Sequence, residues 1–315
     1  MSVEAQAAPQ IPAIKERLDE GAQSAPRPHR RTALDFVREQ PLGTIGFVII
    51  LVTFLAAIFA NYVAPYGPEA VDFMASPALG GGSMSAEHLL GADAFGRDIL
   101  SRLIYGARTA LSVGFISAFV GCSIGAIFGT ISAFAGGKVD MIVQRFIDIM
   151  LSFPIIVLAI IVIAVIPKNV VLGIDINIIV AISIPFIPKV ARVIRSAALS
   201  IVTLPYIDAA RAAGYSSRRI VFRHILPNVV APFLIMLTAY IGQAILLEAS
   251  LSFLGLGVVE PTPSWGLMLS GVNSDYYLIA PWTIIFPGLA ISLAVFAFNM
   301  SGDSLRDWLD PKLKI

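Results

Sequence analysis

Long apolar stretches separated by short polar islands run through this chain. Gly43 to Ala64 carries no charge, and at 1.5 Å per helical residue it reaches about 33 Å, enough to cross a bilayer. Further apolar segments fall at 109–135, 147–166, 177–200, 228–250 and 279–301. The pattern predicts an all-α polytopic membrane protein with six transmembrane helices. Pro185 and Pro188 interrupt the fourth segment, and Lys189, Arg192 and Arg195 decorate its end. It reads as a kinked span whose basic side chains reach back to the interface. The expected divisions are a tail over 1–42, a first span over 43–64 and a loop over 65–108. A five-helix core over 109–302, with a polar loop at 203–227, and a tail over 303–315 complete the chain.

Composition agrees with the pattern. The chain is 57% hydrophobic and 14% charged, whereas soluble domains carry about 25% charge. Mean hydropathy is +0.82. The net charge of +1 conceals a segregation of the 22 Lys and Arg residues. With the N-terminus inside, only Arg97, Arg102, Arg108 and Lys168 fall outside, so the positive-inside rule places both termini and the 203–227 loop in the cytoplasm. No basic surplus points to nucleic acid. Cys122, the single cysteine, excludes an internal disulfide and reads as packing. Residues 1–40, rich in Ala, Pro, Gln and Arg, are expected to be disordered, without the apolar core of a signal peptide near the start. Within them Arg31 to Gln40 can form a short interfacial helix presenting Leu34, Phe36 and Val37 to a membrane surface.

The polar island Thr203–Pro227 organises the rest. It carries Asp208, Arg211, Arg218, Arg219 and Arg223, and burying all five at mid-bilayer would cost on the order of 10 kcal/mol. It therefore lies in water beside the membrane. Pro205 suits a first helical turn, and Asp208 complements the helix dipole one turn on. Ala209, Ala210, Ala212 and Ala213 give a helix of little side-chain bulk. Gly214 can end it in the left-handed conformation, and Ser216 or Ser217 can cap a second, basic helix that stops at Pro227.

These residues resemble the EAA loop of ABC-importer permeases, E-A-A-x3-G-x9-I-x-L-P. Asp208-Ala209-Ala210, Gly214 and Leu226-Pro227 match at the required spacing, with Asp for Glu and His224 at the isoleucine position. The His-Ile-Leu-Pro-Asn ending is similar to the dipeptide, oligopeptide and nickel subgroup. Two further regions carry the same resemblance. Leu90, Gly91, Asp93, Gly96, Arg97 and Asp98 match a stretch that precedes the core in that subgroup. The phrases LSFLGLGVVEPTPSWG and SGDSLRDWLDPKLK are similar to its outer-gate region and its C-terminal end.

The resemblance implies the type I ABC importer permease fold with a cytoplasmic coupling helix, in a multi-pass subunit of the bacterial plasma (inner) membrane. It implies coupling to ATPases through Asp208, Ala209, Ala210, Arg211, Gly214, Leu226 and Pro227. The implied partners are a homologous second permease, two ABC ATPase subunits that bind ATP and Mg, an extracytoplasmic solute-binding protein and the bilayer. Di- or oligopeptides are the expected cargo, with nickel or another small solute as the alternative.

Other residues keep two readings. Ser117, Gly121, Gly125 and Gly129 form a four-residue repeat of small side chains, suited to a pathway or partner interface or to packing within the chain. Arg145 and Asp148, three apart, can pair along one helix. Glu248, with Gln243 and Trp265 nearby, is a pathway or gate candidate, although Glu248 can instead hydrogen-bond the turn that follows. Asp98 to Ala107 reads as a separate amphipathic helix, and His88 as a solvated loop histidine. The sequence holds no Gly-x4-Gly-Lys-Ser/Thr, His-Glu-x2-His, Gly-x-Ser-x-Gly or cysteine pair. It therefore predicts no catalytic residue, no metal ligand and no cofactor bound by this chain itself. A self-contained channel or secondary transporter would need paired intramembrane charges or symmetric broken helices. An intramembrane enzyme would need a catalytic set.

Overall fold

The computed structural model describes residues 33–81, 83–171 and 174–309. The expectations for residues 1–32 and 310–315 lie outside the described residues. The chain divides into two units, Met1–Glu39 and Gln40–Ile315. In the first, the described part is a two-turn helix, α1 (Ala33–Glu39), with Arg38 in its last turn.

The second unit is mainly helical, with one small hairpin. α2 (Pro41–Ile58) is followed by an irregular segment reaching Asp98. α3 (Ile99–Ala135), α4 (Gly137–Leu151), α5 (Ile155–Val165) and α6 (Ile176–Val202) come next. The short α7 (Pro205–Ala212) leads into α8 (Ser217–Phe253), and α9 (Trp282–Leu309) closes the unit. Strands β1 (Val170–Val171) and β2 (Ile174–Asp175) pair antiparallel before α6, with Val170 opposite Asp175. Among the described residues five helices are long and apolar enough to cross a bilayer, and α4 with α5 makes a sixth crossing if counted as one broken span.

Two differences from the expected spans have local causes. The helix expected to begin at residue 109 begins at Ile99, because Asp98 caps it. The Asp98 carboxylate accepts from the Ser101 amide at 2.7 Å and the Ser101 hydroxyl at 2.6 Å. Asp98–Ala107 is therefore the first turns of α3 and no separate helix; its 37 residues span about 55 Å. The segment expected as one span over 147–166 is bent by 95° between α4 and α5. Pro154 disfavours helical backbone at Phe153, and the Ser152 hydroxyl turns back onto the carbonyls of Asp148 and Ile149.

Small residues set the packing. A β-carbon at Gly121 would lie 2.7 Å from the Ser183 oxygen and one at Gly125 2.8 Å from the Ile187 oxygen, and one at Gly129 would collide with the Ala191 oxygen. The stripe is therefore the seam between α3 and α6, where van der Waals contact replaces the hydrophobic drive that lipid cannot supply. α6 runs through Pro185 and Pro188 as one helix, its first half in the core through Ile178, Ile182 and Phe186. Gly46 brings α2 against Ala297 and Ser301 of α9. The opposite side of α2, with Leu51, Val52 and Leu55, is exposed, as a lipid-facing surface requires. The Arg145–Asp148 pair does not form. Asp148 pairs with Arg192 and Asp140 with Arg195, so both acids of α4 tie it to α6.

Candidate functional site

The loop between α6 and α8 is built from local signals. Pro205 occupies the first turn of α7, where its missing N–H has no helical partner. α7 stops in a two-bond cap: the Gly214 amide donates to the Arg211 oxygen at 3.0 Å and the Tyr215 amide to the Ala210 oxygen at 3.1 Å. That geometry needs the left-handed backbone that Gly214 adopts at φ 77°. Ser216 then caps α8, its hydroxyl accepting from the Arg219 amide at 3.4 Å.

α7 has two unlike faces. Ile207 and Ala210, three apart, are buried, while Asp208, Ala209, Arg211, Ala212 and Ala213 are exposed. Side contacts fix the orientation. The Arg211 guanidinium lies 5.5 Å from the Phe134 ring at the far end of α3, and Asp208 accepts from Arg211 at 3.3 Å. The His224 ring lies 6.2 Å from both Tyr206 and Tyr215, so the unusual histidine wedges the two sides of the loop together. Around Leu226 and Pro227 the α8 stem winds irregularly, as a π turn over Val221–Ile225 and then a 3-10 turn over Leu226–Val229. The chain nonetheless continues from this stem straight into the apolar part of α8. The arrangement is a small smooth helix, held from one side and connected to a long helix.

The opposite end of the bundle is capped by the segment before α3. Arg97 reaches Asp93 at 2.7 Å and grips both carboxylate oxygens of Glu260, at 2.6 and 3.1 Å. Arg102, only 1% exposed, donates to both Glu260 oxygens at 3.3 Å and to the Pro68 carbonyl at 3.2 Å. Burial opposes the Arg97 charge, but the bond to Glu260 and the charge of Asp93 outweigh it and raise its pKa above the ordinary value. Burial likewise pushes the Glu260 carboxyl up, and the Arg97 bond with the Arg102 charge overrides it to hold the pKa down. His88 is buried rather than solvated: its Nδ1 is 3.0 Å from Asp98.

Next to this clamp, Glu248 is completely buried on α8. Its Oε1 accepts from the hydroxyls of Ser252 and Ser264, each at 2.8 Å. Trp265, one residue on, donates from Nε1 to the Leu103 oxygen at 2.9 Å and covers Gly106 of α3. Glu248 and Trp265 thus sit in a junction that fixes the 258–264 loop between α3 and α8. Gln243 is half-buried beside Gly242, where α8 meets Phe298 and Asn299 of α9.

Comparison with known proteins is decisive. The model of the binding-protein-dependent transport system inner membrane component family matches residues 121–315. That of the N-terminal TM domain of oligopeptide transport permease C matches residues 31–79. The chain belongs to this permease family.

Among full-length relatives, a dipeptide transport system permease protein of Alkalihalophilus pseudofirmus is 42% identical over 90% of both chains. A glutathione transport system permease protein of Pectobacterium atrosepticum is 40% identical over 96% of both. In fold, the permease is similar to a chain of the MetNI methionine ABC transporter in an inward-facing conformation. The TM-score is 0.51 at 19% identity, covering 66% of this chain and 96% of that one. The permease is therefore a multi-pass membrane protein with the ABC-importer permease fold, whose family works with ATPase and binding-protein partners.

Within the permease, Asp208, Ala209, Ala210, Arg211 and Gly214 are brought together on or just after α7. Leu226 and Pro227 lie in the stem, and Gly121, Gly125 and Gly129 belong to packing inside the chain. The sequence reading missed Glu260, Arg102, Ser252 and Ser264. Arg97 and Glu260 are 163 residues apart, so no local spacing pairs them. The one available signal was Glu260 itself, an acid with no basic residue near it in the sequence.

Proposed function

We propose that this permease is one half of the membrane channel of a peptide importer in the bacterial plasma membrane, with both termini and α7 in the cytoplasm. The second half is a homologous permease. Two ATPase subunits bind ATP and Mg and receive α7 in a surface cleft, and this chain holds no cofactor. An extracytoplasmic binding protein delivers a di- or oligopeptide to the capped end. The substrate class is supported by the dipeptide and glutathione permeases that the chain is similar to across nearly its full length. The boundaries 1–42, 43–64, 65–108, 109–302 and 303–315 serve as its working divisions.

The observation that carries the coupling role is the two-faced α7. Ile207 and Ala210 bind it to its own chain, and the alanine face with Asp208 is left for a partner that can approach the backbone closely. Closure of the ATPases on ATP displaces α7. Because the Gly214 turn and the α8 stem are continuous with a membrane helix, the displacement reaches the junction around Glu248 and Trp265. The channel then changes which side it opens to, as a two-state element biased by a distant ligand.

The test uses the assembled transporter. Ala209→Cys should crosslink to an ATPase subunit, the native Cys122 being buried. Gly214→Val forces a β-branched side chain into the left-handed region, at a cost of about 1–2 kcal/mol. It should abolish peptide uptake while the permease stays at its normal membrane level. Normal uptake by Gly214→Val, together with no crosslink from Ala209→Cys, rejects the coupling role.

A further inference from the structure

At the capped end a cleft of about 490 Å³ opens between α3, the β1–β2 hairpin and the Val258–Thr262 loop. Its walls come from three distant parts of the chain, and each is fixed. Glu260 is gripped by Arg97 and Arg102. The Thr109 hydroxyl donates to the Pro263 oxygen at 2.9 Å, and the hairpin is closed by its own pairing. The volume falls in the range of about 300–1,000 Å³ typical of small-molecule sites.

The charges in this cleft do not cancel locally. Glu260 is already matched by two guanidinium groups. Arg108 donates only to backbone carbonyls, from Nε to Ala57 at 3.0 Å and from Nη2 to Ile58 at 3.5 Å. Among the described residues no carboxylate pairs with it, so an oriented positive charge is left over. On the hairpin, Asp175 Oδ2 faces Lys168 Nζ at 3.6 Å. Its other oxygen, Oδ1, is buried and accepts no hydrogen bond from any described residue. A buried carboxylate oxygen without a donor is costly, and a ligand ammonium would relieve that cost.

We infer that this cleft is a subsite for a small zwitterion, taking its ammonium at Asp175 Oδ1 and its carboxylate at Arg108. A free peptide carries both groups. The inference deepens the peptide reading above, rests on it for the identity of the ligand, and places a solute-contacting site in this half of the channel. A lipid with an ethanolamine headgroup presents the same pair of charges, so the test separates the two sources.

Ser112 lines the cleft and is half-buried, which makes it a reporter. The assembled transporter carrying Ser112→Cys is placed in phosphatidylcholine nanodiscs, and its modification by a small thiosulfonate reagent is timed. Dialanine at about ten times its Kd should slow labelling to about a tenth by mass action. N-acetyl-dialanine amide, which has the size but neither charge, should leave the rate unchanged. Asp175→Asn should remove the protection while keeping the unprotected rate, which shows that the fold is intact.

Equal protection by both peptides overturns the inference, as does no protection in a transporter that imports dialanine. Protection only when phosphatidylethanolamine is added assigns the cleft to lipid and overturns it as well. If dialanine protects but no peptide is taken up, the cleft stands and the proposed cargo falls.

Discussion

Glu248 shows how much a single side chain's surroundings matter. A carboxylate in an apolar helix is a functional candidate by default, yet here both its hydrogen bonds go to Ser252 and Ser264 of the same chain. Glu248→Gln keeps an acceptor for both hydroxyls and should transport at close to the normal rate. Glu248→Ala leaves them unpaired in a buried site and should lower stability by about 1–3 kcal/mol, read as an earlier thermal unfolding of the purified transporter. A Glu248→Gln variant that unfolds normally but no longer transports would show that the negative charge itself acts on the pathway. At the same scale, the glycines of α3 were visible as a small-residue stripe. Whether the stripe faced a partner or the chain itself was not, because four-residue spacing describes one helix and says nothing about what lies opposite. Ser183, Ile187 and Ala191 supply the answer by placing their carbonyls where β-carbons would be.

Among the elements, α7 was legible almost residue by residue. Pro205, Gly214 and Ser216 act through backbone geometry within a few residues, so no distant contact is needed to read them. The clamp on the 258–264 loop is the opposite case, since its partners are far apart in sequence and its worth depends on their meeting. Its pH response follows from the depressed pKa of Glu260. A carboxylate that ionises more easily folded than unfolded contributes stability above its ordinary pKa of about 4.3 and loses it as pH falls through the folded value. Wild type should therefore unfold at a higher temperature than Glu260→Gln at neutral pH. The gap should narrow as pH drops below about 4.3, where the glutamate of the unfolded chain takes up a proton first. A gap independent of pH would mean that Glu260 holds the loop through shape alone. The Arg97 pKa is raised above its ordinary value by Glu260 and Asp93, so it stays charged across that range.

For the whole molecule, the bend between α4 and α5 is the main departure from six simple crossings. α4 is held to α6 by two ion pairs of unequal exposure. The Asp148 and Arg192 side chains are 48% and 52% exposed, whereas those of Asp140 and Arg195 are 17% and 26% exposed. Exposed pairs contribute about 0–1 kcal/mol, so Asp148→Asn should leave assembly and transport nearly unchanged. Asp140 also bonds Ser132 at the end of α3, and Asp140→Asn should reduce the yield of folded transporter noticeably. Size-exclusion recovery after mild heating measures both, and equal losses would mean that the two pairs share the load.

The sequence by itself determined the membrane class, most of the crossings and the grammar of the α7 loop. Hydrophobic length, charge segregation and cap residues act locally and leave their mark in consecutive positions. Only the tertiary structure decided that Arg97 and Arg102 meet Glu260, that Glu248 is locked to serines, and that α4 turns away from α5. It also showed that Arg108 and Asp175 line one cleft. Those facts depend on which segments become neighbours once the helices pack, and a one-dimensional pattern does not contain that information.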